Sequence, residues 1–185
     1  MKILDIGCGN SKYNAGKDNL VIGLDSSKLP GVDMVHNLEK TPLPFKSEEF
    51  DMIIAFHALE HIINLVPLLE EMHRITKNNG ILWIKVPFYS SWGQFNDPTH
   101  VRFFTPFTFN YFQGKNNYSH EVKKNDELNL KVQKVRIHFA VGRLKFLNWL
   151  FDPLLNLSQA FYCRFYAWIF PACEIEYKIR VIKNG

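Results

Sequence analysis

Five short apolar runs rich in Val and Ile punctuate the first half of the chain: KILDI, LVIGL, VDMV, DMIIAF and ILWIKV. Each is bounded by Gly, Pro, Asn or Asp, as strands buried on both faces of a parallel sheet usually are. Between the fourth and fifth runs, Leu65, Leu68, Leu69, Met72 and Ile75 recur at three- and four-residue spacing. That spacing predicts a helix, with Gly80 as its stop. Strands alternating with helical segments predict an open α/β sheet.

The second half reads differently. LKVQKVRIHFAV (130–141) and EIEYKIRVIK (174–183) alternate as antiparallel strands do. Between them Leu154, Leu157, Phe161, Phe165, Trp168 and Ile169 form one helical stripe, with Asn156, Gln159 and Cys163 opposite. The stripe is expected to be core or lid, with an interfacial membrane helix as the alternative. No uncharged run approaches the roughly 18–20 residues that a membrane span needs. The aromatic stretch 88–112 has no clear period; its Phe103, Phe104, Phe107 and Phe109 read as core or as the wall of an apolar pocket.

At 185 residues, 46% hydrophobic and 22% charged, the chain predicts one soluble domain able to bury its own core. Three cysteines without C-x-x-C spacing, and a start in MKILDIG without a signal-peptide pattern, lead to the expectation of a reducing, cytoplasmic setting. Residues 1–100 carry 9 Lys and Arg against 12 Asp and Glu, whereas residues 101–185 carry 13 against 6. A basic second half suits an anionic substrate, nucleic acid or lipid headgroups, or simply a solvated strand face around Lys123, Lys124, Lys131 and Lys134.

LDIGCGN at 4–10 carries the chemistry. A strand ending in Gly-x-Gly lets main chain pass close to a ligand, because a Cβ at Gly7 or Gly9 would intrude. The next strand, VIGLD, ends in Asp25, a carboxylate placed to accept two hydrogen bonds from a ribose diol. No third glycine follows in GCGNSK, and only NSKYNAGKDNL separates Gly9 from the second strand. That linker is too short for an ordinary crossover helix, so the helix dipole that receives a pyrophosphate is shortened or absent. A cofactor without phosphates fits this loop better.

LDIGCGN, VIGLD, PLPF-x₄-FDMII-x₂-HALEHI and LLEEMHRITKNNGILWIKVP occur in an order that resembles class I S-adenosylmethionine-dependent methyltransferases over residues 3–90. The resemblance implies a Rossmann-like, seven-stranded mixed sheet flanked by helices, with the last two strands an antiparallel hairpin and, here, a shortened first crossover. It implies S-adenosyl-L-methionine as cofactor, held by Asp5, Gly7, Cys8, Gly9, Asp25, Ser26, Asn37, Leu38, Phe56 and His57. Asp5, Gly7 and Gly9 would flank its methionine part, Asp25 its ribose, and Asn37 and Leu38 its adenine. Phe56 and His57 would line the pocket near the sulfonium.

His57, Glu60 and His61 also spell H-x-x-E-H, a zinc-peptidase signature that needs a helix and a third ligand. Here the motif follows a strand, so no metal is expected, and Glu60 and His61 are expected to cap the next helix. Methyl transfer needs in-line positioning, and a base only where the acceptor loses a proton. His57, His100 and Arg102 are the candidate catalytic residues, His100 lying in NDPTHVRFF beyond the fifth strand. Residues 88–127 and 142–173 of this single domain are expected to supply the substrate lid. The expected activity is methyl transfer to a small-molecule or surface-attached acceptor. The alternatives are an RNA-directed methyltransferase and a non-catalytic cofactor-binding protein.

Overall fold

The computed structural model describes residues 1–113 and 128–183. Lys123, Lys124 and the 114–127 part of the expected lid lie outside the described residues. The five apolar runs form β1 (Lys2–Ile6), β2 (Leu20–Asp25), β3 (Met34–Val35), β4 (Phe50–Phe56) and β5 (Thr76–Pro87). They pair in parallel, with Leu4 opposite both Ile22 and Ile53, so the β1 side chains are buried between neighbours. The late alternating segments form β6 (Asn129–His138) and β7 (Glu174–Ile182), an antiparallel pair. β7 also pairs antiparallel with β5, and the seven strands run in the order β3-β2-β1-β4-β5-β7-β6.

Helix α1 (Leu65–Ile75) buries the five residues of the expected stripe: Leu65, Leu68, Leu69, Met72 and Ile75. It ends at Thr76, four residues before the expected stop. Thr76 is extended and donates its hydroxyl to the Met72 carbonyl. The Glu48 and Glu49 amides take the carbonyls of Arg74 and Ile75, so the last turn is satisfied and the chain enters β5 directly. Gly80 has a different use. A Cβ there would lie 2.5 Å from the Thr76 methyl, so glycine permits the close pass of strand over helix end.

Among the described residues no helix occupies the crossovers linking β1 to β2, β2 to β3 or β3 to β4. Tyr13 takes the place of the first crossover helix. The buried Asp5 carboxylate accepts the Tyr13 amide at 2.7 Å, and the Tyr13 ring meets Phe56 and Trp83 edge-on. In the aromatic stretch the two readings divide: Phe104 and Phe109 are fully buried, while Phe103 and Phe107 are exposed. Phe109 packs on Tyr177 of β7, whose hydroxyl donates to the Thr105 carbonyl. The stretch also carries the short α2 (Trp92–Asn96).

The 142–173 segment overturns the core reading of its stripe. It contains α3 (Asn148–Leu157) and α4 (Gln159–Phe165), yet Leu154, Leu157, Phe161, Phe165, Trp168 and Ile169 are all exposed. The face carrying Asn148, Asp152 and Asn156 is the one turned inward, with Leu155 and Tyr162 buried beside it, because β6 is the sheet edge and offers unpaired backbone groups. Asn148 both donates to the Ala140 carbonyl and accepts from its amide, and Asn156 does the same at Ile137. Asp152 accepts the Phe139 amide, and Gln159 donates to the Val135 carbonyl. Asn148, Asp152 and Asn156, one helical turn apart, act as a substitute strand.

Candidate active site

The carboxyl ends of β1, β2 and β4 enclose a cleft of about 340 Å³ lined by Gly7, Asp25, Ser26, Asn37, Leu38, Glu39, His57, Ala58, His61 and Ile62. This is where open α/β sheets bind ligands, and the size falls within the roughly 300–1,000 Å³ of small-molecule sites. Gly7 is left-handed (φ 70°), and a Cβ there would stand 2.6 Å from Ala58 Cβ. The bare main chain at residue 7 therefore keeps this wall of the cleft open. Asp25 sits across from it. One carboxylate oxygen accepts the Gly9 amide at 3.0 Å and the other the Ser27 amide at 2.9 Å. The oxygen on Gly9 keeps a further lone pair for a ligand hydroxyl, and the one on Ser27 is met only by the Ser26 hydroxyl at a long 3.5 Å, which a ligand hydroxyl can displace.

Asp25, Ser26, Asn37, Leu38 and His57 thus share one cleft with Gly7. Four other expected cofactor residues stand behind the lining. Asp5 is buried beneath Tyr13, and burial raises its pKa. Cys8 directs its thiol to the Gly31 carbonyl, with its pKa raised to about 11, chiefly by burial. Gly9 serves through its amide on Asp25. The Phe56 ring packs against Trp83 and under the Lys85 ammonium.

HALEH is not the first turn of α1. Leu59–His61 forms a separate 3₁₀ turn, and α1 begins at Leu65. The entry to α1 is held by Glu39, whose carboxylate accepts the Ile63 and Asn64 amides. Sequence reading missed Glu39, Ala58 and Ile62 as cleft residues; LEK after the third strand carries no pattern that would have singled out Glu39.

His57 adopts a left-handed conformation (φ 53°), uncommon for a residue other than glycine. Its Nε2 lies 2.9 Å from Glu174 Oε2 and its Nδ1 3.4 Å from Glu60 Oε1. Glu174, then Glu60, raise its pKa to about 9. A cation at neutral pH accepts no proton, so these partners do not equip His57 as a general base. Glu174 lies 117 residues away in the chain, and nothing in EIEYK announces it.

The other two catalytic candidates support the wall. Arg102 donates to the carbonyls of Ile62 and Ile63 and, through its backbone, to Glu60. Its guanidinium braces the cleft loop rather than facing the cleft. His100 is nearly buried behind His61, with ring centroids 4.7 Å apart and Nδ1 on the Gln94 carbonyl. Asp97 accepts the Thr99 amide and hydroxyl, and Thr99 in turn meets His61 Nδ1. Glu60, His61 and His100 offer ligand atoms within 4.8 Å of one another, a set that could share a cation; the sequence spacing did not link them.

From the cleft a ladder of alternating charge crosses the sheet. Glu174 approaches Lys85, Lys85 approaches Glu176, and Glu176 lies 3.5 Å from His138, which meets Asp152 at 2.8 Å. Burial opposes charge on His138, but Glu176 and Asp152 outweigh it and raise its pKa. His138 in turn draws the Glu176 pKa down to about 2. Stability from His138 is fully present below the ordinary histidine value of 6.5 and is lost as pH rises through its raised folded value. Stability from Glu176 is present above the ordinary 4.5 and is lost as pH falls toward about 2. Melting temperatures measured across pH are therefore expected to peak between 4.5 and 6.5, and His138→Gln should reduce the alkaline limb, leaving the part that His57 contributes.

The strand order, with a cleft at the ends of β1 and β2 where Asp25 faces Gly7, defines a Rossmann-like, seven-stranded mixed sheet with its ligand cleft at the carboxyl edge. Residues 4–84 match the family described as a methyltransferase domain, a little under half of the chain. An uncharacterised protein of Methanocaldococcus jannaschii is 38% identical over 92 residues, 45% of this chain and 40% of that one. A demethylmenaquinone methyltransferase of Geobacillus stearothermophilus is 29% identical over 100 residues, 43% of this chain and 42% of that one. This chain spans about two fifths of the length of these relatives. A SAM-dependent methyltransferase from Archaeoglobus fulgidus shares the fold, with a TM-score of 0.61 at 18% identity over 97% of this chain and 85% of that one.

Proposed function

We propose that the chain binds S-adenosylmethionine in this cleft and transfers its methyl group to a small-molecule or surface-attached acceptor. The observation that carries the reading is the Asp25 carboxylate, fixed by two backbone amides and facing the bare main chain of Gly7 across one cavity. When bound, the cofactor supplies a methyl group already activated by sulfonium charge. The chain's task is to position and to exclude water. Asp25 accepts from the ribose hydroxyls, Asn37 and Leu38 flank the adenine, and Gly7 admits the methionine part. His57, Ala58 and His61 face the acceptor side, with His57 as a cation that orients an electron-rich group instead of taking its proton.

The demethylmenaquinone methyltransferase matches only a stretch of about 100 residues, so it supports the cofactor reading more than any particular acceptor. Titration calorimetry with S-adenosylhomocysteine tests the reading: one site per chain is expected, and absence of heat at high protein concentration would overturn it.

A further inference from the structure

The outward face of α3 and α4 is apolar by construction. Their polar side chains are engaged at the β6 edge, and the residues left outside are Trp149, Leu154 and Leu157 of α3, with Phe146 just before α3 and Trp168 and Ile169 just after α4. Trp149 is 86% exposed, Leu157 85% and Ile169 79%. Large apolar side chains left this exposed along one segment point to an interaction site. The surrounding charge has one sign. Arg143, Lys145 and Arg164 are exposed, and the only acid between residues 139 and 173 is Asp152, 1% exposed and turned inward.

We propose that this face docks on an anionic lipid bilayer, with α3 and α4 lying in the plane of the interface. Trp and Phe seat at the headgroup boundary, Leu and Ile enter the acyl region, and the three cations meet anionic headgroups. The helices lie on the membrane without crossing it. α3 has 10 residues and α4 has 7, and among the described residues no helix is long and apolar enough to span.

Two other occupants fit less well. A twofold dimer through this face would set Arg143, Lys145 and Arg164 against their own copies, with no exposed acid in the patch to offset them. Nucleic acid would use the cations but would leave the aliphatic side chains without a partner.

The face also runs toward the cleft. The Trp168 ring meets Tyr89 at 5.5 Å and Phe95 at 6.3 Å, and Phe95 meets the exposed Phe103 at 5.7 Å. Arg102, next in the chain, braces the Ile62–Ile63 carbonyls, and Ile62 lines the cleft. A docked molecule would hold its cleft beside the bilayer. That the acceptor is a lipid or a lipid-attached group rests on the transfer reading above; the docking itself does not.

The test uses the whole chain and sedimentation with large vesicles of phosphatidylcholine, with and without 30 mol% phosphatidylglycerol. Binding to the anionic vesicles is expected, with a blue shift of tryptophan emission. Trp149→Ser with Leu157→Ser should weaken binding at least tenfold. Arg143→Glu with Lys145→Glu and Arg164→Glu should abolish the preference for anionic vesicles. Both variants change exposed positions, and calorimetry with S-adenosylhomocysteine should be unchanged in them, which separates failure of docking from failure of the cofactor site. No sedimentation with anionic vesicles at low salt would overturn the proposal. So would equal binding to neutral and anionic vesicles, or a stable dimer that the Trp149→Ser, Leu157→Ser change dissolves.

Discussion

Asp25→Ala is expected to weaken S-adenosylhomocysteine binding by roughly a hundredfold or more in titration calorimetry. One unsatisfied buried polar group costs about 1–3 kcal/mol, and this change strands two ribose hydroxyls at once. It also frees the amides of Gly9 and Ser27, so the loop that shapes the cleft loses its anchor. Asp25→Asn separates the two effects. An amide keeps the shape and one acceptor, so one of the two backbone amides stays anchored and binding should fall to an intermediate value. Asp25 sits at a partly exposed strand end, and the melting temperature should move little in either variant. Unchanged affinity in Asp25→Ala would remove the central contact of the proposed site.

The second large effect is on folding. Asp152→Ala is expected to cost about 3–5 kcal/mol in urea denaturation, the range for breaking a buried ion pair by removing one partner. Asp152 is almost fully buried, accepts the Phe139 amide and faces His138. Its loss leaves the Phe139 amide without its acceptor and takes from the His138 imidazole the nearer of its two carboxylates, Glu176 remaining at 3.5 Å. Exchange of the amides of Ile137 and Phe139 should quicken, because of the polar contacts only those of Asn148 and Asn156 would still hold α3 to β6. Asp152→Asn retains an acceptor for the Phe139 amide and should cost less. A loss below about 1 kcal/mol in Asp152→Ala would show that α3 does not depend on this polar face.

Legibility in the sequence followed the range of the interaction. The sheet, the helix on Leu65–Ile75 and the Gly7–Asp25 pairing were readable, because strand periodicity, glycine conformation and strand-end position are local properties. The shortened first crossover was readable from loop length alone, but not that Tyr13 would fill its place through Asp5. HALEH was legible as a cleft wall. That it forms its own 3₁₀ turn and that Glu39 holds the entry to α1 was not, since those bonds come from another crossover.

The state of His57 shows the same limit. Its position at the end of β4 follows from the chain, whereas its charge depends on Glu174, brought beside it by β7 pairing with β5. Arg102 and His100 were placed near the cleft by the strand before them, but tertiary contacts made both of them supports.

Periodicity alone determined that α3 and α4 have an apolar face and a polar one, and it determined nothing about which would be turned inward. That choice belonged to the tertiary structure. The neighbouring surface is the edge of β6, whose unpaired N–H and C=O groups take Asn148, Asp152 and Asn156 and leave Trp149 and Leu157 to face outward. An amphipathic pattern records only a difference between two faces; its sign is set by whether the partner surface offers apolar carbon or unsatisfied backbone.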